Sequence, residues 1–472
     1  MTSSPHSSVA DEKKATISAS PAEAEVLAGK VEDINEEHEV FKKNGEVSFR
    51  TVGWPRASVI FLKAIFATGV LSIPTAMVSL GAVGGSLNVI AWGAFNTYVG
   101  IIFGDFRNRH AKCHSVADMA EVVGGYWAKE VVGAIFIIAY VLCAGSGILG
   151  VTVGLNALSH HAACTVWWTV LATVVVIACA SVRKMHQIGL LTMAGFSSIF
   201  IAVLIVVIGV TTRDRPAAAP QTGPYELGYY AIPTGVPFAA GVVASTTIFC
   251  SSAGSSAFLP VISEMKNPRD YRKAVYVCMG LVTSAYLAFS LVVYRWCGKW
   301  VASPSLGSAG QTVKMVAFGV GLIGLIVSGC LYLHVSSKYL FVRILGKTRH
   351  LQENTWIHWC TWLSCTIGLG AIAFILVEAI PIFNYLIAII GSVCLAPISI
   401  ILPGWLWLYD YWGWIKGSAK QQLAFWFHAM FIPLGAFFTV AGTYGVIKMI
   451  IDAYASGLIG GIFECADNSH SS

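Results

Sequence analysis

Charged residues are scarce in this chain of 472 residues, where Asp, Glu, Lys and Arg together make up 11%. A soluble domain carries roughly 25% of such residues. Here 56% of the residues are hydrophobic, and the mean hydropathy is +0.70. These values exclude an ordinary soluble protein and place most of the chain in a lipid bilayer.

Paired cysteine motifs are also lacking, although the chain has 12 cysteines. None forms a CxxC pair or a Cys/His spacing typical of metal ligands, so we expect small buried hydrophobic residues and no metal site. Cys164 and Cys297 both fall at predicted helix ends on the outer side. They either pair there or remain unrelated thiols.

Long apolar stretches are what the chain does contain. A bilayer is spanned by about 20 apolar residues, and counting such stretches predicts an all-α polytopic membrane protein with about eleven transmembrane helices. Their approximate limits are 56–80, 83–106, 128–156, 163–181, 185–212, 234–263, 272–297, 310–341, 356–378, 381–409 and 424–452. The membrane domain would cover residues 51–455. A polar tail at 1–50 is predicted to be disordered and cytoplasmic, and 456–472 would form a short extracellular tail.

Lysine and arginine are distributed unevenly among the predicted loops. One set of loops is rich in them (Arg107, Arg109, Lys112, Lys266, Arg269, Arg272 and Lys273), whereas the opposite set offers mainly Arg213, Arg215 and Lys299. The positive-inside rule therefore predicts a cytoplasmic N-terminus and an extracellular C-terminus.

Two of the predicted spans are interrupted near their middle. The run Ala67-Thr68-Gly69-Val70-Leu71-Ser72-Ile73-Pro74 crosses the first span, and Cys250-Ser251-Ser252-Ala253-Gly254-Ser255-Ser256 crosses the sixth. Unwound backbone in lipid leaves polar groups unpaired, so it survives only against protein, water or a bound solute. Broken helices at corresponding places in two halves are typical of a secondary transporter's binding site.

The position of the two breaks suggests an internal repeat. The proline-rich loop before the sixth span divides the membrane domain into 56–212 and 234–409, each beginning with a broken helix, and 424–452 is then an additional helix. Because each half has five spans, the two halves would be inverted relative to each other.

An amino acid presents a carboxylate and an ammonium group that both need partners. Unpaired N–H groups where a helix restarts suit the carboxylate, and we assign this role to Gly69 and Val70, with the Thr68 hydroxyl beside them. Freed carbonyls near the second break suit the ammonium. The candidate substrate-binding residues are Thr68, Gly69, Val70, Tyr140, Phe249, Cys250, Ser251, Ser252, Gly254 and Ser255. Core packing is the alternative for Tyr140 and Phe249, and Gly145-Ser146-Gly147 in the third span is interpreted as a helix-packing motif.

Ionisable residues inside spans are candidates for coupling or gating. Lys63 and Glu264 lie on the inner halves of the two broken helices and would form an ion pair if these halves run side by side. The alternative is that Lys63 extends to the interface and Glu264 ends its helix. His334 is either a titrating group or a core histidine, and Glu378 is expected to be exposed at the end of the ninth span. No acidic residue lies close to either break, which favours a neutral substrate.

Two segments carry a resemblance to a known family. Residues 61–74 (FLKAIFATGVLSIP) and 258–268 (FLPVISEMKNP) resemble the amino acid/auxin permease family, in particular its fungal neutral amino acid permeases. The resemblance covers about residues 50–455. It implies a LeuT-like fold with eleven helices and amino acid uptake, usually driven by protons, with substrate contacts at Gly69 and 250–256. Many members have Gly-His shortly before the proline, whereas Ser256 occupies the histidine position here, which puts histidine-based coupling in doubt.

The sequence thus predicts a proton-coupled symporter of neutral amino acids, with aromatic ones among the candidate substrates, in the plasma membrane. Sodium is the less favoured coupling ion, because no cluster of oxygen ligands is evident. Alternatives are a vacuolar or uncoupled transporter and an amino acid receptor without transport. An intramembrane enzyme is disfavoured, since the acid–base groups of a hydrolase are missing around Gly254-Ser255-Ser256.

Overall fold

The structure, a computed structural model, describes residues 52–469 except 111, 183–184, 347, 352, 354 and 458–460. The tail predicted at 1–50 lies outside these residues. The described part is all-helical, and its one isolated β-bridge joins Val52 to Met265. The helices are α1 Trp54–Ile65, α2 Ile73–Arg109, α3 Val116–Ser159, α4 Thr165–Ala180, α5 Met185–Thr211, α6 Phe238–Ser252, α7 Leu259–Ser263, α8 Tyr271–Cys297, α9 Gln311–Leu345, α10 Trp356–Ala379, α11 Phe383–Ile389, α12 Leu402–Asp410, α13 Ala419–Ala429 and α14 Phe431–Ala455.

The predicted spans all fall on helices of the described chain. Eight helical stretches are long and apolar enough to cross a membrane, or nine with the bent pair Phe383–Leu395 and Pro397–Asp410. The count is below eleven partly because Thr68–Arg109 runs through two predicted spans. Its 42 residues would extend about 63 Å as one straight helix, roughly twice the bilayer core. The all-helical membrane class is therefore confirmed, and the inverted relation of the halves stays a prediction.

Gly81 interrupts this long stretch between the first and second predicted spans. Its φ of 73° lies in the left-handed region that favours glycine. A Cβ atom there would lie 2.4 Å from Cδ of Pro233. The next N–H, that of Ala82, donates to the carbonyl of Tyr230 at 3.0 Å. Gly81 thus marks the corner at which the helix docks against the loop before α6.

We expect Gly81→Ala to lower the stability of the protein. The left-handed backbone costs a non-glycine residue about 1–2 kcal/mol, and the contact with Pro233 adds to that. The matched control is Gly84→Ala, since a Cβ at Gly84 meets only Leu80 Cβ at 3.8 Å. Thermal unfolding in detergent should show a lower midpoint for the first variant alone, and equal midpoints would contradict the assignment.

The bundle is built around α3, α6, α8 and α9. Helix α9 packs against α3 and α5, α8 packs against α1 and α2, and α6 packs against α2 and α14. Gly147 of α3 lies so close to α9 that an added Cβ would be 2.7 Å from Cα of Gly329. Such small-residue contacts let membrane helices approach closely, as the packing interpretation of this motif requires.

One end of the bundle, which we call the Val52 end, is tied together by backbone hydrogen bonds. The N–H of Val52 donates to the Glu264 carbonyl at 3.1 Å, and the N–H of Lys266 donates to the Val52 carbonyl at 2.9 Å. The Asn108 amide donates to the Pro268 carbonyl at 3.4 Å. The segment before α1, the end of α2 and the segment after α7 therefore meet here.

The opposite end, which we call the Cys164 end, is closed by a disulfide bond. Cys164 is bonded to Cys465, 301 residues away in sequence, so the pairing of Cys164 with Cys297 was wrong. Cys297 is a free thiol, 1% exposed, and its sulfur faces the Ser308 carbonyl at 4.0 Å. It lies inside the bundle and cannot reach the surface. Residues 461–469, which we call the strap, fold back onto this end of the bundle through Cys465.

A second contact holds the loop between α5 and α6 at the Cys164 end. Lys299 Nζ lies 3.0 Å from Glu226 Oε2, and the Tyr230 hydroxyl donates to the same carboxyl group. The hydrogen bond from Tyr230, together with that from Lys299, lowers the pKa of Glu226. The contact is therefore fully present when Glu226 is ionised and is lost as the pH falls through its lowered pKa.

Candidate functional site

The first helix break separates α1 from a 3₁₀ turn, Thr68–Ser72, that continues into α2. Ala67, with φ −124° and ψ −134°, is outside the helical region. The carbonyl of Ile65 loses its helical partner at this break and accepts instead from the N–H of Ala67 at 2.8 Å and from the Tyr286 hydroxyl at 3.1 Å. The interruption falls within the stretch that the sequence marked.

The second break separates α6 from the turn Ser255–Phe258 and the short helix α7. Helix α6 ends at Ser252, and Ala253 and Gly254 connect the two parts. The carbonyl of Ser251 also accepts from the Tyr286 hydroxyl, again at 3.1 Å. Tyr286 of α8 is 2% exposed, so one buried hydroxyl joins both breaks.

The two breaks touch at Gly69 and Ser251. A Cβ atom on Gly69 would lie 2.8 Å from Cα of Ser251, a backbone atom that cannot move aside. The Ser251 hydroxyl lies 2.9 Å from the Gly69 carbonyl and 2.8 Å from that of Thr247. The Ser72 hydroxyl donates to the same Gly69 carbonyl at 2.8 Å. Glycine is thus required at position 69 for the half-helices to approach.

A small cavity lies between the breaks. Its volume is about 50 Å³, enough for a few water molecules but not for an amino acid. It is lined by Ala64, Ile65, Thr68, Gly69, Ala139, Tyr140, Cys143, Ser146, Cys250, Ser251, Ala253, Gly254, Ala257, Tyr332, Ile387 and Leu395. Among these described residues none is acidic or basic, and the polar atoms are hydroxyls, thiols and backbone groups.

Hydroxyl groups from two other helices, α3 and α9, surround this cavity. Thr68 Oγ1 lies 3.1 Å from Ser146 Oγ on α3. The Tyr140 hydroxyl, also on α3, lies 3.2 Å from Ser256 Oγ. Tyr332 of α9 donates to the Ala64 carbonyl at 3.5 Å. These groups can exchange their present partners for those of a polar solute that separates the breaks.

The restarting helix presents its N-terminal end to the cavity. The first N–H groups of a helix have no acceptor in a preceding turn, and they carry part of the positive end of the helix dipole. Thr68 and Gly69, at this position, line the cavity directly. The arrangement can hold a carboxylate without a basic side chain.

Six of the ten predicted substrate-binding residues line the cavity, namely Thr68, Gly69, Tyr140, Cys250, Ser251 and Gly254. The others lie nearby with other partners. Val70 is fully buried, and the Phe249 ring packs on Trp92 with 4.7 Å between centroids. Ser252 accepts from the Asn96 amide at 2.9 Å, and Ser255 donates to the Asn96 carbonyl at 3.3 Å. These two serines therefore fasten the second break to α2.

Sequence reasoning missed Ser146, Cys143, Tyr286 and Tyr332. Ser146 was assigned to packing, yet it contacts Thr68 and lines the cavity. A signal existed for the two tyrosines, because a buried tyrosine hydroxyl usually has a hydrogen-bond partner. This tendency does not identify the partner, because the partner depends on how the helix is rotated about its axis.

Three of the four coupling candidates, Lys63, Glu264 and His334, do not line the cavity. Lys63 and Glu264 do not form the predicted ion pair: the nearby charge is Arg56 for Lys63 and Lys338 for Glu264, whose side chain is exposed. His334 is fully buried, its Nδ1 lies 3.1 Å from the Ala180 carbonyl, and its ring packs on Trp362. Ser256 bonds to Tyr140 as described.

A much larger cavity, which we call the vestibule, opens at the Cys164 end. Its volume is about 1280 Å³, ample for an amino acid. Its lining residues Leu149 and Thr247 lie about one helical turn from Ser146 and Ser251 of the central cavity. Glu378 lines it too and is only 7% exposed, with a hydrogen bond to Thr169, so its expected exposure was wrong.

In the described part of the chain, no group of three or more His, Cys, Asp or Glu residues is placed to hold a metal ion.

Comparison with known proteins gives the family. A profile described as "Transmembrane amino acid transporter protein" matches residues 50–448. A "Transmembrane transporter" of Gibberella moniliformis is 46% identical over 444 residues, covering 94% of this chain and 93% of that protein. The chain belongs to the transmembrane amino acid transporter family. This family consists of membrane transporters for amino acids. The predictions that the protein transports amino acids and is not an enzyme are therefore confirmed.

More distant matches are also found. An "N amino acid transport system protein" of Neurospora crassa is 27% identical over 433 residues, covering 90% of each chain. Among solved structures, MhsT in complex with L-phenylalanine is 13% identical, covers 84% of this chain and 98% of its own, and has a TM-score of 0.49.

Proposed function

We propose that this protein is a secondary active transporter that carries neutral amino acids across a membrane by alternating access, with protons as the coupling ion. The observation that carries the proposal is the cavity between two touching helix breaks, which offers a helix N-terminus, hydroxyls and carbonyls but no charged side chain. The helix end would bind the carboxylate, and freed carbonyls would bind the ammonium. Because no lining residue carries a charged side chain, an amino acid substrate whose own side chain is neutral is favoured.

The positions of the two cavities support a transport path through both of them. The vestibule is open at the Cys164 end, whereas backbone hydrogen bonds tie the Val52 end. A substrate would enter through the vestibule, and the half-helices would separate at Gly69 and Ser251 to admit it. Release at the other side would then require the bonds of Val52 to break.

We further propose that the Val52 end faces the cytoplasm and that the protein acts at the plasma membrane. The orientation is supported by the basic residues of the loops at that end, which include Arg109, Lys266 and Arg269. The plasma membrane follows from the resemblance to fungal neutral amino acid permeases. Microscopy of a tagged protein distinguishes it from the vacuolar membrane.

The proposal is tested by uptake of labelled neutral amino acids into proteoliposomes, under an inward pH gradient, with and without sodium. We expect accumulation that collapses with a protonophore and does not depend on sodium. Equilibration without accumulation would replace the symporter with a facilitator. Binding without any flux would indicate a receptor, and sodium-dependent accumulation would overturn the choice of proton.

A further inference from the structure

The strap at residues 461–469 forms part of the vestibule wall. Besides the Cys164–Cys465 disulfide, the Thr165 hydroxyl donates to the Ala466 carbonyl at 2.6 Å. The amide of Asn156, which is fully buried, donates to Asn468 Oδ1 at 2.8 Å. These contacts fasten the strap to the ends of α3 and α4, and seven of its residues line the vestibule.

Lys314 is a bundle residue whose side chain interacts with the strap. It lies in the first turn of α9, lines the vestibule and is only 5% exposed. Its Nζ donates to the Ser469 carbonyl at 3.1 Å, and Asp467 is the acidic group that interacts with its charge. A buried ammonium group needs such partners, since its desolvation is otherwise costly. Both partners come from the strap.

We propose that the strap neutralises Lys314 and thereby sets the charge selectivity of the substrate entrance. The described lining of the vestibule carries three basic residues (Arg213, Lys299 and Lys314) and three acidic ones (Glu378, Glu464 and Asp467). With Asp467 in place its formal charges therefore balance, which suits a zwitterion. Without it, the unit positive charge of Lys314 would act across the vestibule, attracting anionic amino acids and repelling cationic ones. The inference rests on the proposed function in treating the vestibule as the entrance, whereas the electrostatic role can be measured without any transport.

The first test measures the potential in the vestibule directly. Ser79 of α2 lines the vestibule, and a Ser79→Cys variant is labelled with an anionic and a cationic methanethiosulfonate reagent. Adding Asp467→Asn should raise the anionic-to-cationic rate ratio about threefold to tenfold, since one unit charge acting through water is partly screened. Adding Lys314→Gln as well should return the ratio to its starting value.

Two controls make the labelling decisive. The protein without Ser79→Cys corrects for reaction of native thiols. Asp270→Asn removes a carboxylate at the Val52 end, where it pairs with Lys273 at 2.8 Å, and should leave the ratio unchanged. A ratio that does not respond to Asp467→Asn, or one that Lys314→Gln does not restore, overturns the inference whatever the protein transports.

The second test uses transport. In competition with a labelled neutral amino acid, glutamate should become about threefold to tenfold more potent in Asp467→Asn. Lys314→Gln should cancel the gain. Lack of neutral amino acid uptake by the unmodified protein would refute the proposed function, and the labelling ratio would still decide the role of the strap. Normal uptake with unchanged glutamate potency would refute the inference alone.

Discussion

Replacing Gly69 with leucine is expected to abolish amino acid uptake while the protein still reaches the membrane. The Cβ atom of any side chain at this position would lie 2.8 Å from Cα of Ser251, so the half-helices must move apart by several tenths of an ångström or more. Leucine adds three further carbon atoms at the point where the substrate would contact the N–H groups. The measurement is uptake by proteoliposomes, with the amount of inserted protein determined in parallel.

The control for this variant is Gly280→Leu. Gly280 lies on α8 and is exposed, and an added Cβ would have no heavy atom within 4 Å. The same chemical change there should leave uptake intact. Normal transport by Gly69→Leu would refute the assignment of the site to the helix breaks. Gly69→Ala should give an intermediate loss, because its added volume is confined to the contact with Ser251.

Replacing Tyr286 with phenylalanine is expected to weaken both stability and transport. The substitution removes the hydroxyl that lies 3.1 Å from the carbonyls of Ile65 and Ser251. The Ile65 carbonyl keeps the N–H of Ala67 as a partner, whereas the Ser251 carbonyl loses the Tyr286 hydroxyl. Leaving a buried polar group without its partner costs about 1–3 kcal/mol. Thermal unfolding should therefore show a lower midpoint, and the maximal uptake rate should fall because the breaks lose their common support.

Tyr276→Phe is the matched control, since Tyr276 lies on the same helix and is 58% exposed. It should behave as the unmodified protein does. If Tyr286→Phe retains both the unfolding midpoint and the uptake rate, the hydroxyl does not support the breaks. A lower midpoint with normal uptake would restrict Tyr286 to a structural role.

The helix breaks were predictable because they are encoded locally. Glycine, serine and proline within an apolar run lower the local preference for helix, and the interruptions at Ala67 and Ala253–Gly254 fall within the two runs singled out. The part of the cavity lining that the breaks themselves supply was predictable for the same reason. Thr68, Gly69, Cys250 and Ser251 line it because they are the backbone neighbours of the breaks.

What surrounds the breaks was not predictable, because it depends on how each helix is rotated. A helix that is apolar on every side has no polar stripe to reveal its inward face. Ser146 was therefore assigned to packing, and Tyr286 was not selected, although both face the breaks. The disulfide depends on residues 301 apart, and no local pattern connects Cys164 to Cys465. The sequence left an ion pair of Lys63 and Glu264 as one of two alternatives, and it could not decide between them because the relative placement of the two half-helices depends on tertiary packing.

The backbone bridge at Val52 has a consequence for how the protein is distributed between its states. It consists of two hydrogen bonds, one to the Glu264 carbonyl and one from the Lys266 N–H. At about 0.5–1.5 kcal/mol each, they contribute roughly 1–3 kcal/mol in total, which corresponds to a bias of about 5- to 150-fold in an equilibrium. In the proposed alternating-access cycle, these bonds would favour the population in which the Val52 end is closed, and their contribution is small enough for thermal fluctuations to overcome. Any force or binding partner acting on the chain just before Val52 would shift that population without touching the substrate.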